Sequence, residues 1–69
     1  MSTSKSEHAA KRLRAWRDFH GVSVSALAVT MGVHKQSIYR WQRGDLPPFD
    51  KMVKLAEHTG IAVTEWSKP

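Results

Sequence analysis

The 69-residue sequence has no cysteine. That excludes disulfide staples and thiolate zinc sites, and it suits a reducing cytoplasm. Nor is there a run of about 18 apolar residues or the apolar segment of a secretory leader, so neither a membrane span nor secretion is expected. Acid is scarce as well: 6 Asp and Glu stand against 11 Lys and Arg, giving a formal charge of +5. This imbalance fits a nucleic-acid-binding domain, and it fits a merely solvated cationic surface equally well. No internal repeat, low-complexity tract or interdomain linker interrupts the chain. A chain this short with 41% apolar residues supports one small domain. On size scaling such a domain buries only about 60% of its unfolded surface, which implies modest stability.

What is present is helical punctuation. Residues 1–6, MSTSKS, are small and polar and are read as a flexible lead-in or a serine cap region, with 7–69 forming the single domain. From Glu7, the residues Ala9, Leu13 and Trp16 recur at helical spacing, with Ala10 and Phe19 beside them and Lys11, Arg14 and Asp18 opposite. This predicts a first helix that ends at Gly21. Ser23 is placed to cap a second helix reaching about Met31, with Leu27, Ala28 and Met31 inward and Val24 flanking them. Gly32 breaks that helix, Val33 returns to the core, and His34 opens a third helix that stops near Arg43, because Gly44 and residues 45–48 cannot easily continue it.

Phe49, Met52, Val53, Leu55 and Ala56 give a fourth helix its apolar stripe. Asp50 sits near its positive end, His58 near its negative end, and Gly60 closes it. The tail IAVTEWSKP allows two forms: a short fifth helix capped by Thr64 and bearing Trp66, or a short strand over 61–63 used between subunits. The helix is the expectation, and the class is all-α with four to five helices.

The informative stretch is GVHKQSIYRW, residues 32–41. Two short helices crossing at about 90–120° need a small residue at the contact, a glycine at the turn and apolar residues inside the second helix. Ala28, Gly32 and the set Val33, Ile38 and Trp41 supply these in order. With Ile38 and Trp41 inward, the outer face shows Lys35, Gln36, Tyr39, Arg40 and Arg43, and no acid. Lys and Arg donate to guanine O6 and N7, Gln pairs with adenine N6 and N7, and an acid-free face avoids repelling phosphates. This is the pattern of a helix that reads the major groove.

At these residues the chain resembles the phage repressor and Cro family, also called XRE-like, of helix-turn-helix proteins. The resemblance covers most of residues 10–66 and is strongest in LAVTMGVHKQSIYRWQRGDLPP, residues 27–48. It implies a lambda-repressor-like domain of five short helices, site-specific binding to operator DNA, and a homodimer on a pseudo-palindromic site. The family's base-reading positions fall on Lys35, Gln36 and Arg40, with Ser37 and Tyr39 as further candidates. Phosphate contacts fall on Ser23 or Ser25 and on Arg43, and His34 either caps the third helix or touches phosphate. Two positions depart from the pattern. Many relatives have Gln or another polar residue at Val24, and Glu is common at Gln42, where the amide either removes a charge near DNA or drops an internal salt bridge.

Around this core of the reading, alternatives stay open. Lys35, Arg40 and Gln36 also suit an ordinary solvated face, and Tyr39 serves equally to cover apolar surface. Ser23 can cap and still meet a phosphate. Lys11, Arg12, Arg14 and Arg17 form a second basic cluster, read as a solvated face rather than a DNA contact, and Trp16 as core rather than membrane anchor. Ile61, Val63 and Trp66 are candidates either for a dimer interface or for closing the chain's own core. The widely spaced His8, His20, His34 and His58 suggest no metal site, and no nucleophile–base motif suggests an enzyme. No cofactor and no small-molecule ligand are expected.

The expectation is therefore a Cro-like repressor in the bacterial cytoplasm, of phage, prophage or host origin. The stretch from Gly32 to Phe49 is also similar to CII-type phage activators, and an autoregulating antitoxin or a protein-interaction module that has lost DNA binding are the other readings.

Overall fold

Ser6 starts the ordered architecture. In the computed structural model, which describes residues 5–68, its backbone is extended and its hydroxyl accepts the Ala9 amide at 3.1 Å, capping helix α1, Glu7–His20. The same residue is completely buried. Its amide donates to the Gly44 carbonyl at 2.7 Å, and its hydroxyl proton points at the carbonyls of Lys68 and of Glu65, the latter at 3.2 Å. Of the expected lead-in, residues 1–4 lie outside the described residues, whereas Lys5 and Ser6 belong to the folded unit. Lys5 forms an isolated antiparallel bridge with Asp45.

Three more α-helices follow: α2, Val24–Met31, α3, Lys35–Gln42, and α4, Phe49–Thr59. Ser23 caps α2 as expected, its hydroxyl accepting the Ala26 amide at 3.0 Å. At the other end of α2, Gly32 takes a left-handed conformation with φ 70°. Its amide donates to Val29 at 3.1 Å and that of Val33 to Ala28 at 3.0 Å, which together satisfy the last carbonyls of α2 and swing the chain into α3. A side chain at position 32 would strain this turn. Gly44, after α3, has φ 104°, and a Cβ there would sit 3.4–3.5 Å from Lys5 and Ser6. That is ordinary contact distance, so it is the positive φ rather than crowding that calls for glycine at position 44.

The core is a single cluster drawn from every helix: Ala9 and Leu13, Val24, Leu27, Ala28 and Met31, Ile38 and Trp41, and Leu55, closed by Ile61 and Trp66. Trp16, Val22, Val33 and Met52 pack against it, half-buried. Three apolar residues expected to face the core are exposed instead. Phe19 is 84% exposed, and its ring meets the edge of His20 at 5.0 Å. Phe49 is 70% exposed and Val53 37%. The apolar stripe of α4 is wider than its neighbours cover: Leu55 is buried, and the flank carrying Phe49 and Val53 faces outward.

The tail also differs in detail from expectation. It forms a 3-10 helix over Val63–Ser67, and its N-cap is Ala62, with no side-chain cap, rather than Thr64. Thr64 lies inside the turn, where its carbonyl accepts the Ser67 hydroxyl at 2.7 Å. Residues 61–63 form no strand. Ile61 and Trp66 are 1% and 2% exposed, so both are committed to the chain's own core and neither offers an outer surface. Buried Thr59 bridges the junction, donating to the Leu55 carbonyl at 2.7 Å and accepting the Ile61 amide at 3.2 Å.

Glu65 fastens this tail to α1. Its carboxylate contacts the His8 ring, lies 3.4 Å from Arg12, and on its other oxygen lies 3.7 Å from Lys68. The hydrogen bond from His8, helped by the charges of Lys68, His8 and Arg12, holds its pKa below the ordinary glutamate value. A carboxyl whose folded pKa is depressed contributes stability above its unfolded value and loses that contribution as pH falls through the folded one. The chain should therefore lose stability on acidification below about pH 4.3, the ordinary range of Glu. Urea titrations at stepped pH should give Glu65→Gln a lower midpoint than the parent at neutral pH and a flatter decline in acid. Parallel curves for the two proteins would show that Glu65 does not anchor the tail.

Candidate nucleic-acid interface

Helix α3 divides sharply between its two sides. Ile38 is fully buried and Trp41 is 4% exposed, while Lys35, Gln36, Tyr39, Arg40 and the following Arg43 are all exposed and Ser37 is half-buried. The apolar spacing of three therefore sets the orientation of the whole helix. Lys35, Arg40 and Arg43 make no ion pair among the described residues, and α3 contains no acid. Their charge is directed at solvent. Tyr39 stands among them about half exposed, so its ring is not spent on covering the core.

The phosphate candidates border this face in sequence. Ser23 and Ser25 are exposed at the start of α2, and Ser23 keeps its hydroxyl proton available while its oxygen caps the helix. His34 precedes α3 in extended conformation, exposed, and its side chain makes no capping bond. His34 thus holds the N-cap position through its backbone, its carbonyl accepting the Ser37 amide at 2.9 Å, and leaves its ring uncommitted to the helix. Val24 is 9% exposed and packs in the core, so α2 has no polar clamp at that position.

The two arginines read as part of a solvated cluster on α1 prove to be structural. Arg14 Nη1 donates to the Gln42 carbonyl at the end of α3, satisfying an acceptor that the helix leaves open and placing positive charge at its negative end. Arg17 Nε donates to Gln42 Oε1 at 2.6 Å, and its Nη1 donates to the Val22 carbonyl at 3.1 Å. The open question about position 42 is thereby settled: its side chain faces α1, not the exposed face, and the amide stands where an acid would form an internal ion pair. Arg12 is likewise engaged, with Glu65.

Lys54 was not singled out in the sequence. From α4 its Nζ donates to the Met31 carbonyl at 3.4 Å, and it is the nearest atom, at 4.0 Å, to a Cβ built on Gly32. It fixes the outside of the turn between α2 and α3. Only its place at i−1 to the buried Leu55 hinted at this, and a lysine there is ordinarily solvated. Among the described residues there is no group of three or more His, Cys, Asp or Glu that could hold a metal ion, and no helix is long and apolar enough to cross a membrane.

A family model described as helix-turn-helix matches residues 13–66 of this chain. No curated protein and no solved structure matches it. The matched span opens at Leu13 in α1 and closes at Trp66, so it takes in the whole buried cluster from that leucine onward together with the α2–turn–α3 unit.

The Arg17–Gln42 bond is testable on its own. A double-mutant cycle of Arg17→Ala and Gln42→Ala, read by denaturant unfolding, should return a coupling of about 1.5 kcal/mol, the low end for a hydrogen bond to a charged donor because this one is only partly buried. A coupling indistinguishable from zero would show that this side-chain bond does not help hold α3 against α1.

Proposed function

This chain belongs to the Cro and XRE type of helix-turn-helix family, a family of DNA-binding transcription regulators, and from that premise we propose that it is a Cro-like repressor that inserts α3 into the major groove of an operator. The observation that carries the reading is the division of α3, with Ile38 and Trp41 inside and an acid-free, unpaired cationic face outside. Lys35, Gln36 and Arg40 select bases, and Ser37 and Tyr39 flank them at the edge of the groove. Ser23, Ser25, His34 and Arg43 meet phosphates, fixing register and supplying much of the affinity. Repression then needs only occupancy of the site.

A single small subunit offers limited contact area, and two copies on a pseudo-palindrome double it. With Ile61 and Trp66 committed to the core, the surface that supports pairing is the uncovered flank of α4, Phe49 and Val53, extended by exposed Leu46 and half-buried Val63. Each copy carries a charge of +5, so the contact that holds a pair has to be apolar.

Selection of bound duplexes from a random pool at about 150 mM salt tests the reading. A pseudo-palindromic motif bound roughly 10³-fold more tightly than scrambled DNA supports it; no motif, with both DNAs bound weakly, refutes it. On the selected site, Arg40→Ala should cost about 1–3 kcal/mol and relax preference at one base pair of each half-site. Arg43→Ala should weaken all sequences alike and reduce the salt slope by about one. In sedimentation equilibrium, Phe49→Glu should shift the chain to monomer while unfolding at the midpoint of the parent diluted to monomer, since the ring is already exposed in the single chain. A dimer that survives this substitution places the interface elsewhere.

A further inference from the structure

A cleft lies between the second half of α3, the loop 43–48 and the first turn of α4. Its volume is about 390 Å³, inside the range of roughly 300–1,000 Å³ typical of small-molecule sites. The operator reading uses only its rim, at Ser37 and Arg40. The floor is apolar, made by Val33, Trp41, Leu46 and Pro48. Ser37, Arg40, Asp45 and Lys51 complete the lining with a hydroxyl, two cations and an acid.

Both signs of charge are therefore present, and neither is fully spent. Arg40 has no ion-pair partner among the described residues, and Asp45 reaches Lys5 only at 4.0 Å, the limit of an ion pair, with both side chains well exposed. Lys51 lies 3.6 Å from Asp50, whose side chain is largely in solvent. The chain brings both residues to this cleft, where the Asp45 amide donates to the Arg40 carbonyl at 3.1 Å. A simple anion entering here meets Asp45, and a simple cation meets Arg40 and Lys51. A molecule with a carboxylate and an ammonium on one carbon and an apolar side chain meets the opposite charge at each head and Trp41 and Leu46 below.

We propose that this cleft binds a small zwitterion with an apolar body, of the class of the aliphatic α-amino acids, and that the bound ligand competes with DNA for Arg40. The second clause rests on the operator reading; the first does not. A ligand placed on Arg40 withdraws a cation from the DNA-facing side, so ligand and DNA lower each other's affinity by the same factor. The site would make the repressor responsive to the supply of its ligand.

The test is an amide-detected NMR titration of the full chain with L-leucine, N-acetyl-L-leucine, which lacks the ammonium, and L-leucinamide, which lacks the carboxylate. L-Leucine should shift the amides of Val33, Ser37, Leu46 and Lys51 saturably. Each analogue should bind roughly fivefold more weakly, the loss of one exposed charge pair. Asp45→Asn, a surface change that leaves the core intact, should abolish the preference for L-leucine over N-acetyl-L-leucine. The absence of saturable shifts up to about 20 mM, well above the roughly millimolar Kd reached by a ligand of this size, overturns the site. So does N-acetyl-L-leucine binding the parent as tightly as L-leucine. Competition is read separately: saturating L-leucine should weaken binding to the selected duplex, and an unchanged DNA affinity in the presence of bound L-leucine overturns the second clause. If no duplex is selected, the operator reading fails while the NMR titration still decides the first clause.

Discussion

Helix α3 spans eight residues, about two turns, and has no side-chain cap at its start. Isolated helices shorter than about 12–15 residues are marginal in water, so its shape and direction have to be imposed from outside. Burial of Ile38 and Trp41 does this. Sinking two such side chains is worth several kcal/mol, by the usual figure of about 1.5–3 kcal/mol per large apolar group, more than any local device on α3 supplies. The exposed face is then free to carry residues chosen for what they bind, because none of them is needed to keep the helix.

The same division governs charge. No acid lies on α3 itself, and three of the chain's acids are engaged off it: Glu65 gathers His8, Arg12 and Lys68 at the junction of α1 and the tail, Asp50 neighbours Lys51 on α4, and Asp45, in the loop after α3, reaches back to Lys5. Two further cations, Arg14 and Arg17, are bonded to Gln42, the first at the surface and the second half-buried. What remains unneutralised on Lys35, Arg40 and Arg43 is a local positive field on one helix. Net charge alone does not define an interface. The engagement of Arg12, Arg14, Arg17 and Lys68 elsewhere does more, since it leaves α3 carrying cations with no ion-pair partner among the described residues.

Much of this was legible in the sequence because its signals are local. Gly21, Gly32 and Gly60 mark helix ends at the expected places, and the run from Ala28 through Trp41 specifies small contact, turn and packing within fourteen positions of one another. The errors arise where a residue's fate depends on distant chain. Periodicity identifies Phe49 and Val53 as apolar on α4, but whether anything covers that flank depends on how far α2 and the tail extend, which no spacing encodes. The same holds for Ser6, whose partners Glu65 and Lys68 lie about sixty residues away. Arg14 and Arg17 read as solvated for the like reason, since only the packing of α1 on α3 brings Gln42 to them.

Ser6 and Gly44 show how so small a domain closes without a staple. One buried serine caps α1, bonds to the end of the 3-10 tail and ties itself to the loop that leaves α3, where Gly44 takes the positive φ that turns the chain. The first and last described segments are thereby fixed to the exit of α3, while Lys54 fixes the turn at its entrance. Both ends of the helix are held by polar contacts from elsewhere in the chain, and its middle by the core. A rigid α3 follows from this arrangement, and with it the consequence that anything seated against Trp41 and Leu46 touches the packing of the helix as well as its exposed arginine.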